Sequence, residues 1–228
     1  VVLLLITSVL ACGIGTVAIP PADVLAAFGH AILPGLIDSP ATPNAEFIIT
    51  GYRLPRILLA VLAGVSLAVA GAVMQGLLRN PLVSPFTLGL SSAASFGAAF
   101  MIVLGPLLFG AAFAGAVTVA GISFSLDTAL LILSAFLFGW LSVVLVYLIS
   151  RTKQTSQAIM ILAGVVIGYL FQAGLLALQY VSDDEALRDI VTWLMGGMWG
   201  ANWQAVLVLL PIVLICFILV ERRAWDLN

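Results

Sequence analysis

Between Ile57 and Leu78 the chain reads ILLAVLAGVSLAVAGAVMQGLL, and no charged side chain interrupts it. A helix needs ~20 mostly apolar residues to cross the hydrocarbon core of a bilayer. Inside that core a backbone has no water to bond, so a run of this length must satisfy its own N–H and C=O groups, as a helix does. It reads as a transmembrane span. Comparable runs flank it: Val1 to Ile19, Leu90 to Leu108, Leu126 to Ile149, Ala158 to Leu178 and Ala205 to Val220. The expected architecture is all-α, a polytopic transmembrane helix bundle of six spans forming one membrane domain over residues 1–228.

Composition agrees. Apolar residues make up 63% of the chain and charged residues 8%, and mean hydropathy is +1.26, whereas a soluble domain carries roughly a quarter charged residues. So few charges cannot cover a soluble surface. The net charge of −2 leaves no basic footprint for nucleic acid, so no nucleic-acid partner is expected. Cys12 and Cys216 lie in apolar runs at opposite ends, without the spacing of a metal site or a disulfide framework. Val1 to Ile19 lacks a basic leader, an initiator Met and a convincing cleavage site, and reads as a first helix whose beginning is missing. Phe109 to Phe124 is also apolar but rich in Gly and Ala, with Pro106 before it. It is expected to be a loop helix, with a re-entrant piece or a seventh span as alternatives.

Orientation follows from the cations, because cytoplasmic loops are enriched in Lys and Arg near helix ends. Arg79, Arg151 with Lys153, and Arg222 with Arg223 follow the second, fourth and sixth spans, while Asp23, Asp38, Glu46, Asp127, Asp183, Asp184, Glu185 and Asp189 fall in the other connections. Even-numbered spans therefore end inside, and a seventh span at Phe109 to Phe124 would break the pattern. Arg53 and Arg56 begin the second span on the outer side. They read either as interfacial anchors with stems along apolar surface or as a docking point for an acidic partner.

Helices in lipid rely on close approach at small residues. Gly64, Ala68, Ala72 and Gly76 form such a stripe, and Gly164 and Gly168 another, so both spans are expected to pack centrally. Gln75, Gln172 and Gln179 need protein or water partners in an apolar medium, as interhelical hydrogen bonds or as substrate contacts. Pro81 and Pro85 end the second span in a rigid turn. Trp193, Trp199 and Trp203 precede the sixth span, the usual place of an interfacial aromatic belt. There is no phosphate-cradling Gly-x-x-x-x-Gly-Lys-Ser/Thr loop, one histidine, His30, and no paired carboxylate within a span. Catalytic residues, a metal site and a cofactor are not expected, and proton or sodium coupling lacks its intramembrane acid. The energy for transport must come from another chain.

Arg53-Leu54-Pro55-Arg56, Ala70-Gly71-Ala72-Val73-Met74-Gln75-Gly76, Arg79-Asn80-Pro81-Leu82 and Pro85-x-x-Leu88-Gly89 together resemble the FecCD family of ABC permeases, importers of ferric siderophores, haem and cobalamin. Leu162-Ala163-Gly164-Val165 and Trp193-Leu194-Met195-Gly196-Gly197 with Trp203 extend the resemblance over essentially the whole chain. It implies ten helices per subunit, a homodimer with the pathway between its two copies, two cytoplasmic ATPase subunits, an extracytoplasmic substrate-binding protein, and a multi-pass position in the prokaryotic cytoplasmic (inner) membrane. Under it the chain is incomplete at both ends, with the coupling helices and last four spans missing. By the same resemblance Arg53 and Arg56 meet glutamates of the binding protein. Asn80, Pro81 and Leu82 narrow the cytoplasmic gate, with Thr155, Ser156 and Gln157 near its second element. Gln172 is a candidate lining residue of the pathway. The rivals are a self-contained secondary transporter or channel, which would need an essential intramembrane polar or acidic group, and a membrane enzyme.

Overall fold

The computed structural model describes residues 2–36, 38–119, 122–152, 157–198 and 200–223. Their order is α1 (Val2–Gly13), α2 (Pro21–Ile32), α3 (Ala45–Ile48), a π-turn (Ile49–Arg53) running into α4 (Leu54–Leu78), a 3-10 turn (Pro85–Leu88) and α5 (Leu90–Phe109). A second 3-10 turn (Gly110–Ala114), a hairpin of β1 (Ala116–Val119) and β2 (Ile122–Ser125), α6 (Leu126–Thr152), α7 (Gln157–Val181), α8 (Asp184–Met195) and α9 (Trp203–Arg222) follow. Among the described residues five helical segments are long and apolar enough to cross a membrane: Ala45–Leu78, Leu90–Ala114, Leu126–Arg151, Gln157–Val181 and Trp203–Arg222. The 25 residues of α4 alone reach about 37 Å at 1.5 Å per residue, more than the ~30 Å hydrocarbon core. The chain is an all-α polytopic bundle, with one small hairpin.

Two compact units are present. The first comprises the described residues of Val1–Ala68 and Gly197–Ala224. Its core is Cys12, Ile19, Val24, Ala27, Ala45 and Ile49, contributed by α1, α2 and α3 with their connections. Here α1 departs from the expected span, ending at Gly13 rather than Ile19. The Ile19 N–H donates to the Gly13 carbonyl at 3.0 Å, and a Cβ at Gly13 would stand 2.8 Å from the Ile19 carbonyl oxygen. The chain folds back over that glycine, and Pro20 and Pro21 then open α2, where the missing N–H is one the first helical turn does not use.

The second unit comprises the described residues of Val69–Gly196. Its core packs α5, α6 and α7 around Ala93, Val146, Ala163, Ile167 and Phe171. Phe96, Phe100, Phe138 and Phe171 form an aromatic cluster with centroids 5.1 to 6.1 Å apart in tilted and edge-to-face pairs, the arrangements ring quadrupoles favour. Ile190 of the amphipathic α8 closes a smaller cluster with Ala99 and Leu175.

Phe109 to Phe124 is neither a loop helix nor a seventh span. Gly110, at φ +54°, stops α5, and after one 3-10 turn β1 and β2 pair antiparallel with Ala116 opposite Ser125. The Leu126 N–H closes the base on the Gly115 carbonyl at 2.8 Å. Val117, Thr118, Val119 and Ile122 are β-branched and favour a pleated strand, which periodicity alone does not separate from a short apolar helix. The small-residue stripes also part company. In α7 Gly164 and Gly168 are closely packed, whereas a Cβ on Gly64 of α4 would meet nothing within 4 Å.

Candidate functional site

In the first unit the chain enters α4 through the π-turn, and Pro55 is the reason that turn matters. The Leu54 N–H donates to the Ile49 carbonyl, five residues back. The Thr50 carbonyl thereby loses its α-helical donor, and its π-helical donor would be the N–H that Pro55 lacks. An open acceptor results. The Trp203 indole Nε1–H fills it at 2.8 Å. Trp203 is thus a tie onto the turn, with 41% of its surface exposed, rather than an aromatic belt residue alone.

Arg53 ends this turn and Arg56 lies in the first turn of α4. The Arg53 guanidinium, half-buried, donates to the carbonyls of Cys12 and Val17, so it caps the last turn of α1, whose final carbonyls have no helical partner. Gly15 gives it room: a Cβ there would stand 2.6 Å from Arg53 Nη2. Arg56 is exposed, and its Nε donates to the Met198 carbonyl at 3.2 Å. A cleft of about 430 Å³ opens beside them, lined also by Ile14, Thr16, Ile48, Tyr52 and Ile57.

Acidic residues nearby are tied down. The Thr42 hydroxyl donates to Asp23 Oδ2, and the Thr42 N–H donates to the same oxygen at 2.9 Å. The hydroxyl bond first, with help from the backbone N–H groups of Thr42 and Ala41, holds the Asp23 carboxyl below its ordinary range against the opposing effect of desolvation. His30 Nδ1 lies 2.8 Å from Glu46 Oε2, joining α2 to α3.

In the second unit the Arg79–Gly89 segment is a rigid turn, as its prolines require. Arg79 takes φ +43°, its N–H donates to the Gly76 carbonyl and the Asn80 N–H to the Gln75 carbonyl. This is the Schellman arrangement of a helix C-terminus, with arginine at the position glycine usually occupies. Asn80 Oδ1 accepts from the Leu82 N–H at 3.0 Å, fixing an Asx turn across Pro81. Gln75 Nε2 donates to the carbonyls of Pro81 and Val83. The glutamine expected to bridge helices thus caps its own turn. Leu82 is left 85% exposed while Val83 is buried.

The segment then seats on α7. Thr87 Oγ1 donates to the Ser84 carbonyl and accepts from the Ser84 N–H. Gly89, at φ +71°, would carry a Cβ 2.8 Å from the Gly168 nitrogen and 2.9 Å from the Gly164 oxygen. A Cβ on Gly164 would in turn collide with the Thr87 carbonyl oxygen. From α6 the fully buried Ser142 donates its hydroxyl to the Leu88 carbonyl at 2.9 Å. Two short motifs far apart in sequence, Pro85-x-x-Leu88-Gly89 and Leu162-Ala163-Gly164-Val165, meet backbone to backbone.

Of the other candidates, Gln172 is half-buried on α7 and Gln157 is exposed at its start. Thr155 and Ser156 lie outside the described residues, as do Lys153 and Trp199. Among the described residues no group of three or more His, Cys, Asp or Glu is arranged to hold a metal ion. Sequence reasoning missed the Thr50–Trp203 tie, the Gly15 clearance and the Ser142 bond. Only the first had a signal, since a proline one turn inside a helix leaves a carbonyl without its donor.

Five spanning helices among the described residues, tightly seated turns and small-residue helix contacts define a polytopic membrane protein. The chain belongs to the FecCD transport family, whose model matches residues 3–228. It is similar to the molybdate import system permease protein MolB of Haemophilus influenzae, with 34% identity over 228 residues, covering 99% of this chain and 60% of that protein. It is similar to the Fe(3+)-citrate import system permease protein YfmE of Bacillus subtilis, 35% identical over 223 residues, 95% of this chain and 56% of that protein. A solved structure described as an inward-facing conformation of a metal-chelate type ABC transporter matches with a TM-score of 0.74 and 32% identity, over 100% of this chain and 61% of that one. The chain thus spans under two thirds of the length of these relatives. Its spans and family make it a multi-pass protein of the prokaryotic cytoplasmic membrane.

Proposed function

We propose that the chain is part of the permease subunit of an ABC importer that carries an iron chelate, a ferric siderophore, haem or cobalamin across the cytoplasmic membrane. The observation that carries this reading is the family match along residues 3–228, joined to five spanning helices. Relatives named for Fe(3+)-citrate and molybdate support a metal-containing anion or chelate as cargo and leave its identity to the partner that delivers it.

In this reading the permease is not an enzyme. ATP is hydrolysed by cytoplasmic ATPase subunits, an extracytoplasmic binding protein loads the pathway, and a second copy of the permease completes it. Arg53 and Arg56 dock the binding protein, which the exposure of Arg56 beside an open cleft supports. Asn80, Pro81 and Leu82 form the cytoplasmic gate with Thr155, Ser156 and Gln157. The exposed Leu82 on a turn locked by Asn80 and Gln75 supports that role. Gln172 lines the pathway from α7.

The test is uptake in proteoliposomes by the full-length permease assembled with its ATPases and binding protein. ATP-dependent accumulation of a chelate, abolished by omitting either partner, is the expected result. Accumulation by the permease alone would point to a self-contained transporter and overturn the reading.

A further inference from the structure

Pro55 lies between Arg53 and Arg56, and its ring nitrogen cannot donate. The Thr50 carbonyl consequently depends on a side chain 153 positions away, the indole N–H of Trp203. A second bond of the same direction lies beside it, from Arg56 Nε to the Met198 carbonyl. Trp203 and Met198 therefore hold the turn before Pro55 and the arginine after it. All of these groups belong to the first unit.

The geometry points to Trp203 as the positioning residue of the Arg53/Arg56 docking turn: its N–H, through the Thr50 carbonyl left open by Pro55, holds the turn in the conformation that presents the two guanidinium groups to an acidic protein surface. This rests on the docking role proposed above for those arginines. A π-turn is a rare local register, found mostly as a single turn within an α-helix, that persists where its surroundings hold it. Without a donor on Thr50, that carbonyl can regain a partner only by taking the Leu54 N–H as an α-helix would, which passes the vacancy to the Gly51 carbonyl opposite Pro55 and leaves the turn without one settled register. Rewinding rotates Arg53 and Arg56 relative to the residues before the turn, and so relative to the Cys12 and Val17 carbonyls that orient Arg53.

The experiment is a double-mutant cycle read as binding-protein affinity in the full-length permease assembled with its ATPases. Trp203→Phe keeps most of the ring and removes the N–H, and Pro55→Ala restores a backbone donor, so the Thr50 carbonyl no longer needs the indole. In the native background Trp203→Phe should weaken docking about fivefold, within the range for one hydrogen bond to backbone, and in the Pro55→Ala background by less than twofold. Equal losses in both backgrounds, or no loss in the native one, would overturn the assignment, because ring packing is indifferent to Pro55. If Trp203→Phe fails to assemble, ultraviolet resonance Raman of the indole N–H band in native and Pro55→Ala proteins decides. A weakened hydrogen bond in the Pro55→Ala protein supports the assignment, and an unchanged band sinks it. Charge reversal of Arg53 and Arg56 separates the two levels. Affinity unchanged by reversal ends the docking role and this inference together, whereas affinity lost on reversal but kept in Trp203→Phe ends this inference alone.

Discussion

Gly89 stands against Gly168 with no room for a side chain between them: a Cβ on Gly89 would lie 2.8 Å from the Gly168 nitrogen and 2.9 Å from its Cα. Those atoms are backbone and cannot swing aside, so the contact admits glycine alone. Gly89→Ala should therefore combine a left-handed backbone, at φ +71°, with overpacking. A loss of about 2 to 5 kcal/mol is expected, from ~1–2 for the conformation and ~1–3 for the clash, read as a lowered thermal midpoint in detergent. A midpoint within a degree of the native one would mean that the turn does not sit on α7.

Ser142 supplies the other support of that turn. Ser142→Ala removes the donor to the Leu88 carbonyl inside a packed interface, at a cost of about 1–3 kcal/mol for an acceptor left without a partner. Ser142→Thr keeps the hydroxyl but adds a methyl where the native side chain is fully buried, and should also destabilise. Thermal unfolding of both variants beside the native protein checks this.

At the end of α4 the strain runs the other way. Arg79 occupies a left-handed position that costs an arginine roughly 1–2 kcal/mol relative to glycine. Arg79→Gly should raise stability by about 1 kcal/mol, and Arg79→Val should lower it further than any loss of charge explains. Denaturation of the two variants in opposite directions is the expected result.

Asp23 has a folded-state pKa held below its ordinary value of 3.8. A depressed carboxylate contributes stability that is present above the ordinary value and is lost as pH falls through the folded one. Protection of the Thr42 amide, which donates to Asp23, should be constant above about pH 5 and fall in acid below 3.8, after correction for intrinsic exchange. In Asp23→Asn the step should vanish; a step of the same size there would assign it to another group.

For the docking role, the paired substitution Arg53→Glu with Arg56→Glu should reduce binding-protein affinity by at least about tenfold at low ionic strength, with a smaller effect in high salt, since an exposed charge pair is screened. Association with the ATPases should be untouched. Docking that ignores both the charges and the salt would reject the assignment.

The class of the protein was legible because hydropathy accumulates along the chain residue by residue. Five of the six expected runs appear as helices long and apolar enough to span a membrane. The first ends early at Gly13, where a glycine followed six residues later by Ile19 lets the chain fold back on itself, a closure with no periodic signature. The hairpin after Gly110 escaped for a related reason: its short β-branched segments look alike in either period, and the pairing of Ala116 with Ser125 is what makes them strands.

At the candidate site the rigid turn at Pro81 and Pro85 was foreseeable, and the partners were not. Local rules told where Pro81 and Pro85 would withhold donors, because a missing N–H is a property of one residue. Which group makes good the loss is a matter of proximity in space. Gln75 turned out to serve its own turn, Ser142 to serve Leu88 from 54 positions away and Trp203 to serve Thr50 from 153. The order of the residues carried the membrane helices, their basic ends and the breaks between them, since each follows from side chains and backbone within a few positions. The meeting of glycine with glycine and of carbonyl with indole came only with folding, since close approach depends on where distant helices bring their surfaces.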